Sequence, residues 1–159
     1  MLPFPLGYDM RGELAMSDFA AERVTSVLFM CGLNSIRSPM GAAIASRVLP
    51  RGTYIASAGV RAGERDPFVD VVLEENGLNL GGHQPHLFED LEDGYFDLVI
   101  TMAPEAHHLA LDTMGATYSD VEFWPMPDPS ITSGTRQQIL DAYRDLYRRI
   151  EKRLIERFS

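Results

Sequence analysis

Apolar, β-branched runs of strand length alternate along this chain with stretches of helical spacing, and that alternation narrows the fold more than any other feature. The runs are VTSVLFMC from Val24 to Cys31, TYIASAGV from Thr53 to Val60, YFDLVITM from Tyr95 to Met102, and VEFWPM from Val121 to Met126. Gly32 halts the first and Gly59 ends the second, which suits strands buried in a parallel sheet. Between them, Ser38 is placed to cap a helix whose first residue is Pro39, with Met40, Ile44 and Val48 on one face, so that helix is predicted to begin just after Arg37. Asp66-Pro67 offers a second cap and first-turn proline before FVDVVLEEN, closed by Gly77. A short helix is predicted from Pro104 to about Thr113 with Gly115 as its stop. Thr135 and Gln138 have the spacing of a capping box for a last long helix, whose stripe is Ile139, Tyr143, Leu146, Ile150, Leu154 and Phe158. Strands alternating with helices require right-handed crossovers. The expectation is a flavodoxin-like α/β fold: a four-stranded parallel sheet, order 2-1-3-4, with helices on both faces. Ligands of such sheets bind beyond the carboxyl ends of the strands, where Cys31 and Asp128 both fall.

The chain has 159 residues, the length of one ordinary domain. Residues 1–22 carry two prolines and two glycines without a period and are expected to be an N-terminal arm, leaving 23–159 as a single domain. No apolar run approaches the ~20 residues of a membrane helix, and the opening lacks the basic start and apolar stretch of a secretory signal. A cytoplasmic address without membrane attachment is expected. With 14 Lys+Arg against 23 Asp+Glu, a net charge of -9, nucleic acid is an unfavoured partner. The single cysteine excludes an internal disulfide and any multi-cysteine zinc site. Cys31 is then either a nucleophile or a buried core thiol.

Its neighbours favour the nucleophile. The segment CGLNSIRS sets five residues between Cys31 and Arg37, at a junction of strand and helix. A short loop curling at a helix N-terminus aims backbone amides at one centre and forms a nest for an anion, so Gly32, Leu33, Asn34, Ser35 and Ile36 are candidate phosphate-binding residues. Arg37 can add a bidentate contact to two phosphoryl oxygens, which a lysine could not imitate. The same positive surroundings favour a thiolate at Cys31. Ser38 can donate a hydrogen bond to that sulfur as well as cap the helix.

In order, CGLNSIRSP, SAGV, GGH and PMPDP resemble the low-molecular-weight protein tyrosine phosphatases, over roughly Val24 to the C-terminus. The resemblance implies a flavodoxin-like phosphatase that needs no metal or other cofactor and hydrolyses phosphomonoesters through a cysteinyl-phosphate intermediate. It implies Cys31 as nucleophile, Arg37 as transition-state clamp, Asp128 as general acid and Pro129 as the residue that stiffens its loop. It also implies Asn34 as the residue holding the loop shape, and His83 as a histidine bonded into the asparagine network behind it. Asparagine suits its position because it tolerates φ > 0 and bonds locally. Asp66, in the other Asp-Pro, is assigned to capping because a helical pattern follows at once. His86, His107, His108, Asp93 and Asp97 are read as structural.

The chain departs from the family pattern in the loop, where glycine and a second cysteine are usual and Leu33 and Ile36 stand instead. Cys31 therefore has no neighbouring thiol to shelter it, and peroxide should drive it up the oxidation ladder. Ser130, Ile131 and Thr132 replace the aromatic wall that relatives place after the Asp-Pro, and Gly32 leaves the cup rim without a bulky side chain. The expected partner is a phosphorylated protein or a small phosphate monoester, with phosphotyrosine, phosphoserine and phosphoarginine all open. A second reading is a phosphate-binding regulatory module of the same fold with weak turnover. An arsenate reductase is disfavoured by the lone thiol. A flavodoxin-like cofactor binder leaves the thiol unexplained. The C-x-x-N-x-x-R-S spacing also resembles phosphatases acting on the polymerase carboxyl-terminal repeat, although SAGV and GGH fit the low-molecular-weight group better.

Overall fold

Side chains alternate across β1 (Ser26–Cys31) and divide the core into two layers. Val27, Phe29 and Cys31 face one layer, Leu28 and Met30 the other, and none of the five is more than 2% exposed. The first layer is covered by α1 (Arg37–Val48), α2 (Pro67–Glu75) and α4 (Arg136–Phe158), the second by α3 (Pro104–Met114). β2 (Tyr54–Gly59), β3 (Leu98–Thr101) and β4 (Asp120–Phe123) complete a four-stranded parallel sheet of order β2-β1-β3-β4. The computed structural model describes residues 24–92, 94–114 and 120–159. The arm predicted over 1–22, Asp93 and the stop at Gly115 lie outside them.

Local signals set most helix ends. Asp66 Oδ1 accepts from Phe68 N at 2.8 Å, with Pro67 in the first turn, so this Asp-Pro caps α2 as expected. Gly77, at φ 75°, follows the end of that helix. The Thr135–Gln138 capping box is complete: Gln138 N donates to Thr135 Oγ1 at 3.1 Å and Thr135 N to Gln138 Oε1 at 2.8 Å. The buried stripe of α4 is Leu140, Tyr143, Leu146, Tyr147, Ile150 and Leu154, and α4 packs against both α1 and α2. Ile139 and Phe158 lie at its margin, partly buried.

Two predictions are corrected. Ser38 does not cap α1: the helix starts at Arg37 with Ile36 before it, and no side chain closes that end. All four strands are also shorter than their apolar runs. Thr25, for example, sends its amide and its hydroxyl to Asp97 Oδ2 at 2.7 and 2.8 Å, and Asp97 N donates to Ser26 Oγ at 2.9 Å. Asp97 thus ties the entry of β1 to the entry of β3. Among the described residues no helix is long and apolar enough to cross a membrane.

Candidate active site

β1 delivers Cys31 to the carboxyl edge of the sheet, and the chain turns through residues 32–36 before α1 begins. Among the described residues, the backbone amides from Gly32 to Arg37 have no hydrogen-bond acceptor. They are the donors an anion would use. The neighbouring segment holds the loop by its carbonyls: Val60 N donates to Cys31 O at 3.2 Å, Arg61 N to Gly32 O at 2.8 Å and Gly63 N to Leu33 O at 2.9 Å. Gly59 makes that approach possible. A Cβ there would stand 2.5 Å from Arg61 O, 2.8 Å from Asn34 N and 2.9 Å from the Leu33 carbonyl carbon, all backbone atoms that cannot step aside.

Asn34, fully buried, is the only described non-glycine residue with positive φ, at 55°. Its Nδ2 donates to Ser38 Oγ at 2.9 Å and Ser57 Oγ at 3.0 Å, and its Oδ1 accepts from His86 N at 3.1 Å. The Asn34 carbonyl lies 3.1 Å from His83 Nε2. Because a carbonyl only accepts, Nε2 carries the hydrogen. Burial holds the pKa of His83 below the ordinary histidine value, against that hydrogen bond, which raises it. Ser38 Oγ accepts from Asn34, so its own hydrogen is left for Cys31 Sγ at 3.0 Å or the Ala58 carbonyl at 3.4 Å; Ser38 N also reaches Cys31 Sγ at 3.4 Å.

Cys31, Leu33, Ser35, Ile36 and Arg37 line one hollow of about 30 Å³ together with Asp128 and Ser130. Arg37 Nη1 donates to Met126 O at 3.2 Å, which anchors the guanidinium at the segment leading to Asp128. Asp128 receives Ser130 N at 2.9 Å and Ser130 Oγ at 2.6 Å, both on Oδ1, so its Oδ2 has no partner among the described residues. Pro129 is buried and begins a 3-10 turn, Pro129–Ile131. The fold thus brings Cys31, Arg37 and Asp128 to one place from the ends of β1 and β4, with Asn34, Ser38 and His83 behind the loop. Leu33 occupies its position without positive φ, 44% exposed at the rim.

The sequence profile described as low molecular weight phosphotyrosine protein phosphatase matches residues 26–158. The chain belongs to this family. It is a cysteine-dependent phosphatase, and its substrates are phosphorylated. The fold of the Escherichia coli K30 tyrosine phosphatase Wzb, solved with sulphate, superposes with a TM-score of 0.67 at 26% identity, covering 86% of this chain and 99% of that one. Arsenate reductase from Archaeoglobus fulgidus gives a TM-score of 0.65 at 26% identity over 82% of this chain and 96% of that one. The glutaredoxin arsenate reductase of Synechocystis sp. is 23% identical over 128 residues, 80% of this chain and 92% of that protein.

Three tertiary contacts escaped the sequence reading. The His86 backbone amide supports Asn34, while its ring turns to Gln84 O at 3.0 Å. Tyr143 OH donates to Asp66 Oδ2 at 2.7 Å, joining α4 to the cap of α2; burial and that carboxylate raise the Tyr143 pKa well above the ordinary value. Glu105 lies against Gly32. Each is a tertiary contact with no local pattern to reveal it. His107 Nδ1 pairs with Thr101 Oγ1 at 2.9 Å, in keeping with its structural reading.

Proposed function

We propose that Cys31, Arg37 and Asp128 carry the phosphatase reaction on phosphomonoesters. Cys31 Sγ attacks phosphorus as a thiolate; the S–P bond forms while the bond from phosphorus to the leaving oxygen breaks, and Asp128 gives that oxygen its proton. Water then attacks the cysteinyl phosphate, Asp128 accepts a proton from it, and the S–P bond breaks to return the thiolate, to which Ser38 donates. The loop amides and Arg37 hold the phosphoryl oxygens through both steps. The observation that carries this reading is that Cys31, Arg37 and Asp128 line a single hollow. Its substrates are phosphorylated proteins or small monoesters, since Ser130, Ile131 and Thr132 offer no ring for phosphotyrosine to stack on. Reduction of arsenate by this chain would draw on a thiol from another molecule, because it has one cysteine; transfer to water needs none. The unpaired nucleophile suits a reducing, cytoplasmic setting, and residues 23–159 form the catalytic unit.

A leaving-group comparison tests the assignment. The enzyme is expected to hydrolyse p-nitrophenyl phosphate in the presence of a chelator and to be inhibited by orthovanadate. Asp128→Asn should lower turnover of alkyl phosphates on the order of 10²–10⁴-fold, and turnover of p-nitrophenyl phosphate far less, because nitrophenolate leaves without a proton. Equal losses on both substrates would remove Asp128 from the role of acid.

A further inference from the structure

A carboxylate that the chemistry above does not use stands at the start of the phosphate loop. Glu105, in the first turn of α3, lays Oε1 in the space a side chain at position 32 would fill, and Arg37 Nη2 borders that space at 4.0 Å. Its two oxygens accept from Arg61 Nη1 and Nη2 at 3.0 and 3.1 Å. Arg61 N in turn donates to Gly32 O at 2.8 Å. Gly32, Arg61 and Glu105 are therefore one unit, and the room left by the missing side chain at position 32 is occupied by a charged group.

Charge around the cup is uneven. Asp128 lines the hollow, and Glu105 fills the space beside Gly32. Arg61 is the cation paired with Glu105. Arg65 is held away by Asp70 at 2.9 Å and by the carbonyls of Gly81 and His83. The Arg61–Glu105 pair is open to solvent, with side-chain exposures of 60% and 41%, so a competing ion displaces it at little cost. A group next to a bound phosphoryl on the side of Gly32 would meet the carboxylate of Glu105, whose exposed partner is Arg61.

We propose that Glu105 is a specificity-determining residue: it selects phosphomonoesters carrying a cationic group beside the phosphoryl group, and the substrate's cation takes the place of Arg61 on its carboxylate. This rests on the cup being the phosphatase site.

The test uses three aryl phosphates of similar leaving group, bearing an aminomethyl, a methyl or a carboxymethyl substituent, with p-nitrophenyl phosphate as reference. Wild type is expected to favour the aminomethyl over the methyl compound about two- to five-fold in kcat/KM at low salt, with the ratio shrinking as salt rises. In Glu105→Gln the ratio should fall to about one. In Arg61→Ala, where the carboxylate has no internal competitor, it should grow. An unchanged ratio in Glu105→Gln overturns the proposal, as does a wild-type enzyme that shows no charge preference. A preference for the carboxymethyl compound that disappears in Arg61→Ala assigns selection to Arg61 and overturns it too. If wild type fails on p-nitrophenyl phosphate itself, the phosphatase reading falls; if it succeeds there and only the charge ratio fails, this inference falls alone.

Discussion

Asn34 carries the shape of the loop between β1 and α1. It adopts a left-handed conformation that most side chains avoid, and it joins the loop to α1 through Ser38, to β2 through Ser57 and to the following segment through His86. Alanine would keep the strained φ and leave those buried partners unsatisfied. Asn34→Ala is therefore expected to destabilise the fold by roughly 2–4 kcal/mol, read from urea unfolding, and to reduce orthovanadate affinity; a loss of unfolding free energy below about 0.5 kcal/mol would contradict this account of the loop. The asparagine was legible in the sequence because its tolerance of positive φ is intrinsic to the residue. Glu105 was not, because nothing at position 105 indicates that α3 will set its first turn against Gly32. Ser38 lies between these cases: its hydroxyl suggested a cap, but the sulfur of Cys31 and the amide of Asn34 both claim it, and the helix end goes without.

At the scale of elements, the Cys31 loop works because β2 leads into a segment that presses against it. Gly59→Ala forces a Cβ onto the backbone of residues 33, 34 and 61. It is expected to cost roughly 1–3 kcal/mol of stability together with a marked loss of orthovanadate binding. Gly82→Ala, where nothing lies within 4 Å, is the control and should be near neutral. If the two variants unfold at the same denaturant concentration, the close approach at Gly59 is not what shapes the loop. Sequence patterns located every strand and every α-helix of the described residues, since periodicity and caps are local properties. Their ends were less legible, because contacts such as Thr25 with Asp97 trim the strands from across the sheet. The stripe of α4 missed Leu140 and Tyr147 for a similar reason: one helix meets two neighbours.

Across the whole molecule, the order β2-β1-β3-β4 places the ends of β1 and β4 at one crevice, although Cys31 and Asp128 are far apart in sequence. The alternation of strand and helix signals made that topology legible before any coordinate. Behind the crevice, His83 couples global stability to pH. Its pKa is lower in the folded protein than the ordinary value of about 6.5, so the unfolded chain binds the proton more readily as pH falls through that range. The stability that neutral His83 contributes is thus full above that value and is lost on acidification. The difference in unfolding free energy between wild type and His83→Gln should be largest above about pH 7 and shrink below about pH 6; a difference that widens toward acid would mean the folded protein holds a charged imidazole there.

The central claim is that phosphate passes through the sulfur of Cys31. Mass spectrometry of the enzyme quenched in acid during turnover of p-nitrophenyl phosphate addresses it directly. The account predicts one added phosphoryl group on the peptide containing Cys31, absent from Cys31→Ser, which should show only background turnover. A Cys31→Ser enzyme that retains wild-type turnover, or a phosphoryl group trapped on another residue, would contradict it.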